Sequence, residues 1–143
     1  LKDGVLTPNI VVIDGKKFFI DNEGNRSVGW KKIDGDWYYF SKEDGMKTGW
    51  LKDGSWYYLD ETGVMKTGWK QVDGVWYYLN GSGAMQTGWI NQGGTWYYLA
   101  GSGAMKTGWY QVSGKWYYSY SSGALAVNST IDGYTVNANG EWV

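Results

Sequence analysis

Aromatic and polar segments alternate along the chain, and the alternation recurs with a period of about 20 residues. A Gly-Trp pair recurs at spacings of 20, 19, 20 and 20 residues, ending at Trp30, Trp50, Trp69, Trp89 and Trp109. A Trp-Tyr-Tyr triplet recurs at spacings of 19, 20, 20 and 20 residues, beginning at Trp37, Trp56, Trp76, Trp96 and Trp116. A fixed period of this kind indicates a repeat architecture in which each unit contacts mainly its neighbours.

The pattern within one unit predicts a β-hairpin. Asp34-Gly35 and Asp73-Gly74 lie between two ring-bearing segments, and these residue types supply the positive φ angles that tight hairpin turns need. The flanking aromatic segments favour strands, and no segment has helical periodicity. Because an isolated hairpin is barely stable in water, we predict an all-β fold in which successive hairpins stack into a β-solenoid.

The two ends of the chain carry degenerate copies of the unit. Upstream, Lys17 stands where the triplet Trp is expected, and downstream Asn128-Ser129 stands where Gly-Trp is expected. Divergent end units are typical of repeat proteins, since a cap has only one neighbour. We therefore predict an N-terminal junction, a degenerate N-terminal cap repeat, five aromatic-rich repeats and a degenerate C-terminal cap at residues 1–9, 10–29, 30–127 and 128–143.

Composition then removes several function classes. The sequence contains no Cys and no His, which excludes thiolate and imidazole metal sites and any catalytic triad based on His. The net charge of −1 argues against nucleic acid as a partner. No apolar run approaches the roughly 18 residues of a membrane-spanning helix. The chain begins at Leu1 without a signal-peptide pattern, so we expect a mature product or a fragment of a larger protein.

The unit resembles the choline-binding repeat of streptococcal surface proteins and cell-wall hydrolases. The matching motifs are Gly68-Trp69, Gly74-Val75-Trp76-Tyr77-Tyr78, Gly83-Ala84-Met85 and Thr87-Gly88-Trp89. The resemblance covers roughly residues 10–143. It implies a left-handed solenoid and a non-catalytic binding module without a cofactor. It also implies an extracellular place at the bacterial cell surface, where such modules anchor a parent enzyme or adhesin to phosphocholine on teichoic and lipoteichoic acids of the cell wall.

The chemistry of the rings agrees with a choline ligand. A quaternary ammonium has no N–H to donate, so it is bound by the faces of aromatic rings, which attract cations. In the family, two Trp of one repeat and a Tyr of the next form a site, with a Met nearby. The resemblance therefore implies four complete sites: Trp30, Trp37 and Tyr57 with Met46; Trp50, Trp56 and Tyr77 with Met65; Trp69, Trp76 and Tyr97 with Met85; and Trp89, Trp96 and Tyr117 with Met105.

Both ends of the repeat array depart from this pattern. A fifth site would use Trp109 and Trp116, but Tyr134 does not lie at the offset expected of its third ring. An upstream site would have Ile10 and Lys17 in place of two rings, and we expect it to bind nothing. The second site also differs, because Trp50 and Trp56 are one residue closer than in the other units, which predicts an altered turn.

Several alternatives stay open at this point. Stacked Trp and Tyr rings also suit sugars, so a glucan-binding repeat module is the second hypothesis, and a catalytic domain is a distant third. Core packing explains part of the pattern, since Trp and Tyr bury large areas. The second triplet Tyr and the residue after it, such as Phe40, Leu59, Leu79 and Leu99, are better core candidates than ligand contacts. Homodimerisation is left open.

Overall fold

A computed structural model describes residues 9–143, which form strands and turns without a helix. The strands of this part of the chain are β1 (Asn9–Ile13), β2 (Lys16–Ile20), β3 (Arg26–Ser27), β4 (Gly29–Ile33), β5 (Asp36–Ser41), β6 (Gly45–Met46), β7 (Gly49–Asp53), β8 (Ser55–Leu59), β9 (Gly68–Val72), β10 (Val75–Leu79), β11 (Gly88–Gln92), β12 (Thr95–Leu99), β13 (Gly108–Val112), β14 (Lys115–Ser119), β15 (Ser129–Ile131) and β16 (Tyr134–Val136). The predicted junction lies outside the described residues except for Asn9, which begins β1.

Each repeat is an antiparallel hairpin followed by a connector that returns to it. Consecutive strands pair as β1–β2, β4–β5, β7–β8, β9–β10, β11–β12, β13–β14 and β15–β16. After β10 the connector bridges back, so that Met85 pairs with Leu79, and Met105 pairs with Leu99 in the next repeat. The turn residues Asp34 and Asp73 both have a φ of 52°, which is the conformation that the Asp-Gly turns predicted.

The described residues divide into two compact units, each of which contains several repeats. The first unit comprises the described residues up to Thr67 together with Ser82–Ala84, and the second comprises Gly68–Gly81 and Met85–Val143. Inside each unit the hairpins stack through backbone hydrogen bonds. In the first unit the Met65 N–H donates to the carbonyl of Trp37 at 2.9 Å, and in the second the Met105 N–H donates to Trp76 at the same distance. The predicted all-β fold of stacked hairpins is therefore confirmed, while the left-handed sense of winding stays a prediction.

In each unit the core includes one residue at or next to the end of the second strand of a hairpin. Phe40 and Leu59 in the first unit, and Leu79 and Leu99 in the second, are fully shielded from solvent. The sequence pattern assigned these residues to the core. It also assigned the second Tyr of each triplet there, and those side chains are only half-buried. Strand neighbours point to opposite faces. When the core residue of a hairpin faces inward, the Tyr just before it and the triplet Trp therefore take the other face of the strand.

The shortened hairpin has the altered turn that its spacing predicted. Asp53 pairs directly with Ser55, so Gly54 alone, with a φ of 76°, reverses the chain between β7 and β8. The Asp53 carboxylate accepts a hydrogen bond of 2.9 Å from the indole Nε1 of Trp30. The missing residue thus brings a turn carboxylate to the edge of a ring in the preceding repeat.

The buried connector glycine Gly103, which lies against the half-buried side chain of Met85, gives a testable consequence. Gly103 has a φ of 90°, and a Cβ added there would collide with the Sδ atom of Met85. We expect Gly103→Ala to lower the free energy of unfolding by about 2 kcal/mol, because an L-residue is strained at this φ and the methionine must move. Gly101→Ala is the matched control, since its Cβ would have no described atom within 4 Å. Equal urea-unfolding midpoints for the two variants would contradict this role of Gly103.

Candidate functional site

The hairpin register brings two tryptophans of one repeat to the same face. In the second unit, Trp69 of β9 lies opposite Tyr78 of β10, and Trp76 lies two residues before Tyr78 on the same strand. Residues two apart on a strand share a face, so both indoles project from one side of this hairpin. Tyr97 of the next hairpin approaches Trp69 with a centroid distance of 4.9 Å and an interplanar angle of 63°. Three rings from two repeats therefore meet, as the sequence predicted.

The three rings line an open cavity of about 350 Å³, together with Met105, Ser121 and Ser122. Trp76 keeps 39% of its surface exposed, so its ring face is accessible to a ligand. The lining supplies π surface and two hydroxyl groups, and no charged side chain. Such a cavity can surround a methylated ammonium with rings that attract cations while leaving one side of the ligand in water.

The next repeat of the second unit builds a similar cavity of about 360 Å³. Trp89 and Tyr117 have a centroid distance of 4.9 Å and an interplanar angle of 68°, close to the values for Trp69 and Tyr97. The lining residues are Trp89, Trp96, Tyr117, Leu125, Val127, Ala138, Asn139 and Glu141. This cavity therefore repeats the ring arrangement but adds polar groups from the C-terminal cap.

The connector residues at these cavities differ from the predicted ones by one repeat. Met105 rather than Met85 lines the cavity of Trp69 and Trp76, and Leu125 rather than Met105 lines the next cavity. The reason is the backbone hydrogen bond from Met105 to Trp76, and the equivalent 2.9 Å bond from Leu125 to Trp96. Each connector thus returns to the tryptophan-bearing strand of the preceding hairpin. A repeat defined from one Gly-Trp pair to the next does not reveal this, because it assigns the connector to its own hairpin.

The first predicted site also has two of its three rings together. Trp30 and Tyr57 have a centroid distance of 5.0 Å, and the backbone N–H of Met65 reaches the Trp37 carbonyl. By the same one-repeat displacement, Met65 and not Met46 is the connector residue next to this tryptophan strand. The thioether of Met46 instead lies close behind Gly63.

The second predicted site draws Trp50 and Trp56 from the first unit and Tyr77 from the second, and it stays a prediction. The two indoles are nearly perpendicular, at 87° with centroids 6.4 Å apart. The Nζ of Lys52, the residue paired with Trp56 across the hairpin, lies 5.3 Å from the Trp56 ring centroid. A lysine of the protein already contacts this ring as a cation.

The C-terminal cap places two further rings that the sequence pattern did not assign. Trp109, Trp116, Tyr134 and Trp142 line a cavity of about 310 Å³. Tyr134 lies 5.9 Å from Trp109 and 5.8 Å from Trp142 between centroids. The N–H of Trp142 donates to the Trp116 carbonyl at 2.9 Å, so Trp142 occupies the connector position of Met105 and Leu125.

The offset of Tyr134 has a simple structural origin. Strands β15 and β16 pair over three residues, whereas β13 and β14 pair over five. The last hairpin is shorter, so Tyr134 comes earlier in the chain while keeping the position of Tyr117. The spacing from Val136 to its bridge partner Trp142 equals that from Leu99 to Met105. This preserved interval was the sequence signal that could have identified Trp142 as the connector residue of the last hairpin.

At the upstream end, the cap repeat has a charged residue near its ring. The Arg26 guanidinium carbon lies 3.9 Å from the centroid of the Phe18 ring. Arg26 stands where the five central repeats have Met or Leu, so this side chain itself covers the ring. The expectation that no ligand binds beside Ile10 and Lys17 stays a prediction.

Metal binding has no candidate ligand cluster in the described part of the chain. Within residues 9–143, no cluster of three or more Asp and Glu side chains could hold a metal ion. Nor does that part contain a helix long and apolar enough to cross a membrane.

Comparison with known proteins agrees with the repeat pattern. A model described as the choline-binding repeat matches residues 27–67 and 66–108, and a cell wall binding repeat model matches residues 107–125. The chain belongs to the choline-binding repeat family. No curated protein matches it significantly.

Solved structures of this family are close to the chain. It is 53% identical to CbpJ from Streptococcus pneumoniae with a TM-score of 0.91, covering 96% of this chain and 48% of CbpJ. Choline binding protein F from the same organism is 54% identical with a TM-score of 0.90 and the same coverage. The chain thus spans about half the length of these relatives.

A third relative has been solved with its ligand. The cell wall endolysin of phage Cp-1, complexed with choline, is 35% identical with a TM-score of 0.58, covering 88% of this chain and 39% of the endolysin.

Proposed function

We propose that this chain is a non-catalytic module that binds choline in aromatic cages between consecutive hairpins. It thereby holds a parent protein on the phosphocholine-bearing teichoic and lipoteichoic acids of a bacterial cell wall. The observation that carries the proposal is the cavity of Trp69, Trp76 and Tyr97, whose rings come from two repeats. The parent protein would be an extracellular enzyme or adhesin. The endolysin relative complexed with choline supports this ligand.

The proposed sites are the four ring sets assigned from the sequence, with their connector residues corrected where the structure places them, and the ring set at the C-terminal end of the array. They comprise Trp30, Trp37, Tyr57 and Met65; Trp50, Trp56 and Tyr77; Trp69, Trp76, Tyr97 and Met105; Trp89, Trp96, Tyr117 and Leu125; and Trp109, Trp116, Tyr134 and Trp142. The last site then has the two Trp and one Tyr of the other sites, and Trp142 adds a fourth ring. Residues 10–29 and 128–143 serve as the caps of this array.

The energetics favour a polymeric ligand over free choline. Each cation–π contact supplies roughly 0.5–2 kcal/mol, so three rings give about 3–5 kcal/mol before the costs of association. One free choline then binds near the millimolar level, about −4 kcal/mol. Several sites engaging one polymer raise the overall avidity by about 10²–10⁴ without a new contact. Weak single sites on a repeat array are therefore well suited to anchoring.

Replacing one ring tests the assignment of the sites. We expect Trp76→Ala to remove one bound choline at saturation, because the remaining rings of that cavity no longer enclose the ammonium. Leu79, three residues later on the same strand, is fully buried and unchanged, so the hairpin should keep its fold. Lys17→Ala is the control and should leave the number of bound cholines unchanged. Equilibrium dialysis with labelled choline counts the sites, and equal counts in both variants and the parent would contradict the assignment.

The same variants distinguish the carbohydrate alternative. An isomalto-oligosaccharide should produce no heat in calorimetry under conditions where choline does. Binding of the sugar that is lost in Trp76→Ala, with no binding of choline, would favour a glucan-binding module instead.

A further inference from the structure

An ion pair borders the cavity of Trp89, Trp96 and Tyr117. Glu141 is part of the cavity lining, and its Oε2 lies 3.4 Å from the Nζ of Lys115. The other carboxylate oxygen accepts a hydrogen bond of 3.3 Å from the Asn137 side-chain amide. The Glu141 side chain is only 26% exposed, and that of Lys115 is 59% exposed. A half-buried, hydrogen-bonded carboxylate and a more exposed ammonium therefore lie together beside one ring set.

The preceding cavity, in the same unit, lacks both charges. The carbonyl of Ala124 accepts from the N–H of Tyr120 at 2.9 Å, just as the Glu141 carbonyl accepts from Asn137 at 2.8 Å. Ala124 is thus the counterpart of Glu141. Thr95 begins β12 as Lys115 begins β14, so the counterpart of the lysine is also uncharged. The cavity of Trp69 and Trp76 is an internal control with the same types of ring and no charged lining side chain.

We propose that the Lys115–Glu141 pair makes the cavity of Trp89 and Trp96 selective for phosphocholine esters over free choline. This inference rests on the proposed function of the cavities. In phosphocholine the phosphate lies a two-carbon link from the ammonium, so the ligand is a short zwitterion. With its ammonium among the rings beside Glu141, the phosphate is directed toward Lys115. Lysine is a common point-charge partner of phosphate.

The charge arrangement explains why the preference is for the ester. Free choline carries one positive charge, so attraction by Glu141 is largely offset by repulsion from the neighbouring Lys115. The ester adds a negative charge that lies beside Lys115. The ligand and the ion pair are then antiparallel, with the ammonium next to Glu141 and the phosphate next to Lys115. Since Lys115 is exposed, the gain is that of a surface ion pair and falls as salt screens it.

Site-resolved titration tests the proposal on the intact chain. The indole N–H signals of Trp89 and Trp96 report one cavity, and those of Trp69 and Trp76 report the control cavity. Choline and phosphocholine are titrated separately at low salt. We expect phosphocholine to bind about threefold tighter than choline at Trp89 and Trp96, and equally at Trp69 and Trp76. The threefold preference should disappear near 1 M salt.

Variants assign the effect to the pair. Lys115→Gln should abolish the preference for phosphocholine while the Trp69 cavity is unaffected. Glu141→Gln should weaken both ligands at Trp89 and Trp96. The transplant Thr95→Lys with Ala124→Glu should create the preference at Trp69 and Trp76. These positions are on the surface or at the cavity rim, and an unchanged melting temperature verifies the fold of each variant.

The outcomes separate the two levels of the proposal. No indole shift with choline at either cavity would overturn the proposed function. Choline shifts at both cavities, with a phosphocholine ratio that Lys115→Gln leaves unchanged, would overturn only the role of the pair. Glycerophosphocholine presents the headgroup as a soluble ester, and phosphatidylcholine vesicles present it in a bilayer. A Lys115→Gln effect with either source supports recognition of the headgroup and shows which source is bound, and no effect with both contradicts it.

Discussion

Replacing Tyr110 with Ile should lower the free energy of unfolding by about 3 kcal/mol. Tyr110 is buried, and its hydroxyl lies 2.6 Å from that of Ser119, which is fully buried at the core position held by Leu99 in the preceding repeat. The smaller side chain leaves a void and deprives the Ser119 hydroxyl of its partner. The void and the unpaired hydroxyl each cost on the order of 1–3 kcal/mol.

The compensating change makes this prediction specific to the pair. Ile90 and Leu99 hold the same two positions in the preceding repeat. Ser119→Leu alone should also destabilise, since a larger side chain cannot share the space of the Tyr110 ring. The double variant Tyr110→Ile with Ser119→Leu should recover most of the loss, giving a coupling energy of about 2 kcal/mol. Urea unfolding measures all four proteins, and additive losses would contradict a shared core space.

The same contact gives a dependence on pH. Burial raises the pKa of the Tyr110 phenol to about 12, above its usual value near 10. The folded state therefore holds this proton more tightly than the unfolded chain. The stabilisation is fully present below about pH 10 and is lost as the pH rises toward 12. Tyr110→Ile should flatten the stability profile in this range.

Sequence periodicity was sufficient for the fold because every repeat makes the same local choices. A tight turn that contains a glycine with positive φ, alternating rings and one buried residue per hairpin specify the same structure in successive repeats. Phe40 and Leu99 follow that rule and are fully buried as predicted. Tyr110 and Ser119 both depart from this rule, because the large Tyr110 side chain occupies space beside the small Ser119 at the core position. Such a paired change cannot be recognised from either residue alone.

The site was predictable for its rings and less so for their surroundings. Trp69, Trp76 and Tyr97 meet because strand alternation fixes which face each ring takes. The connector residues were displaced by one repeat, since the returning hydrogen bond to Trp76 is a contact between repeats that a local pattern does not contain. The roles of Glu141 and Trp142 depend on a shortened terminal hairpin, where the period itself changes.

The central claim is that ring faces hold the ligand through its positive charge. The neutral analogue 3,3-dimethylbutanol has almost the shape of choline, with carbon in place of the quaternary nitrogen. A purely hydrophobic cavity should bind it at least as well as choline, because it costs less to desolvate. An aromatic cage loses about 1 kcal/mol from each of three rings, which lowers affinity by about two orders of magnitude.

Titrating both ligands while following tryptophan fluorescence makes this comparison directly, since Trp69 and Trp76 line one cavity and Trp89 and Trp96 line another. Aromatic cages predict saturation by choline in the millimolar range and an affinity about a hundredfold weaker for 3,3-dimethylbutanol. Comparable affinities for the two ligands, or no response to choline, would contradict recognition of a cation by these rings.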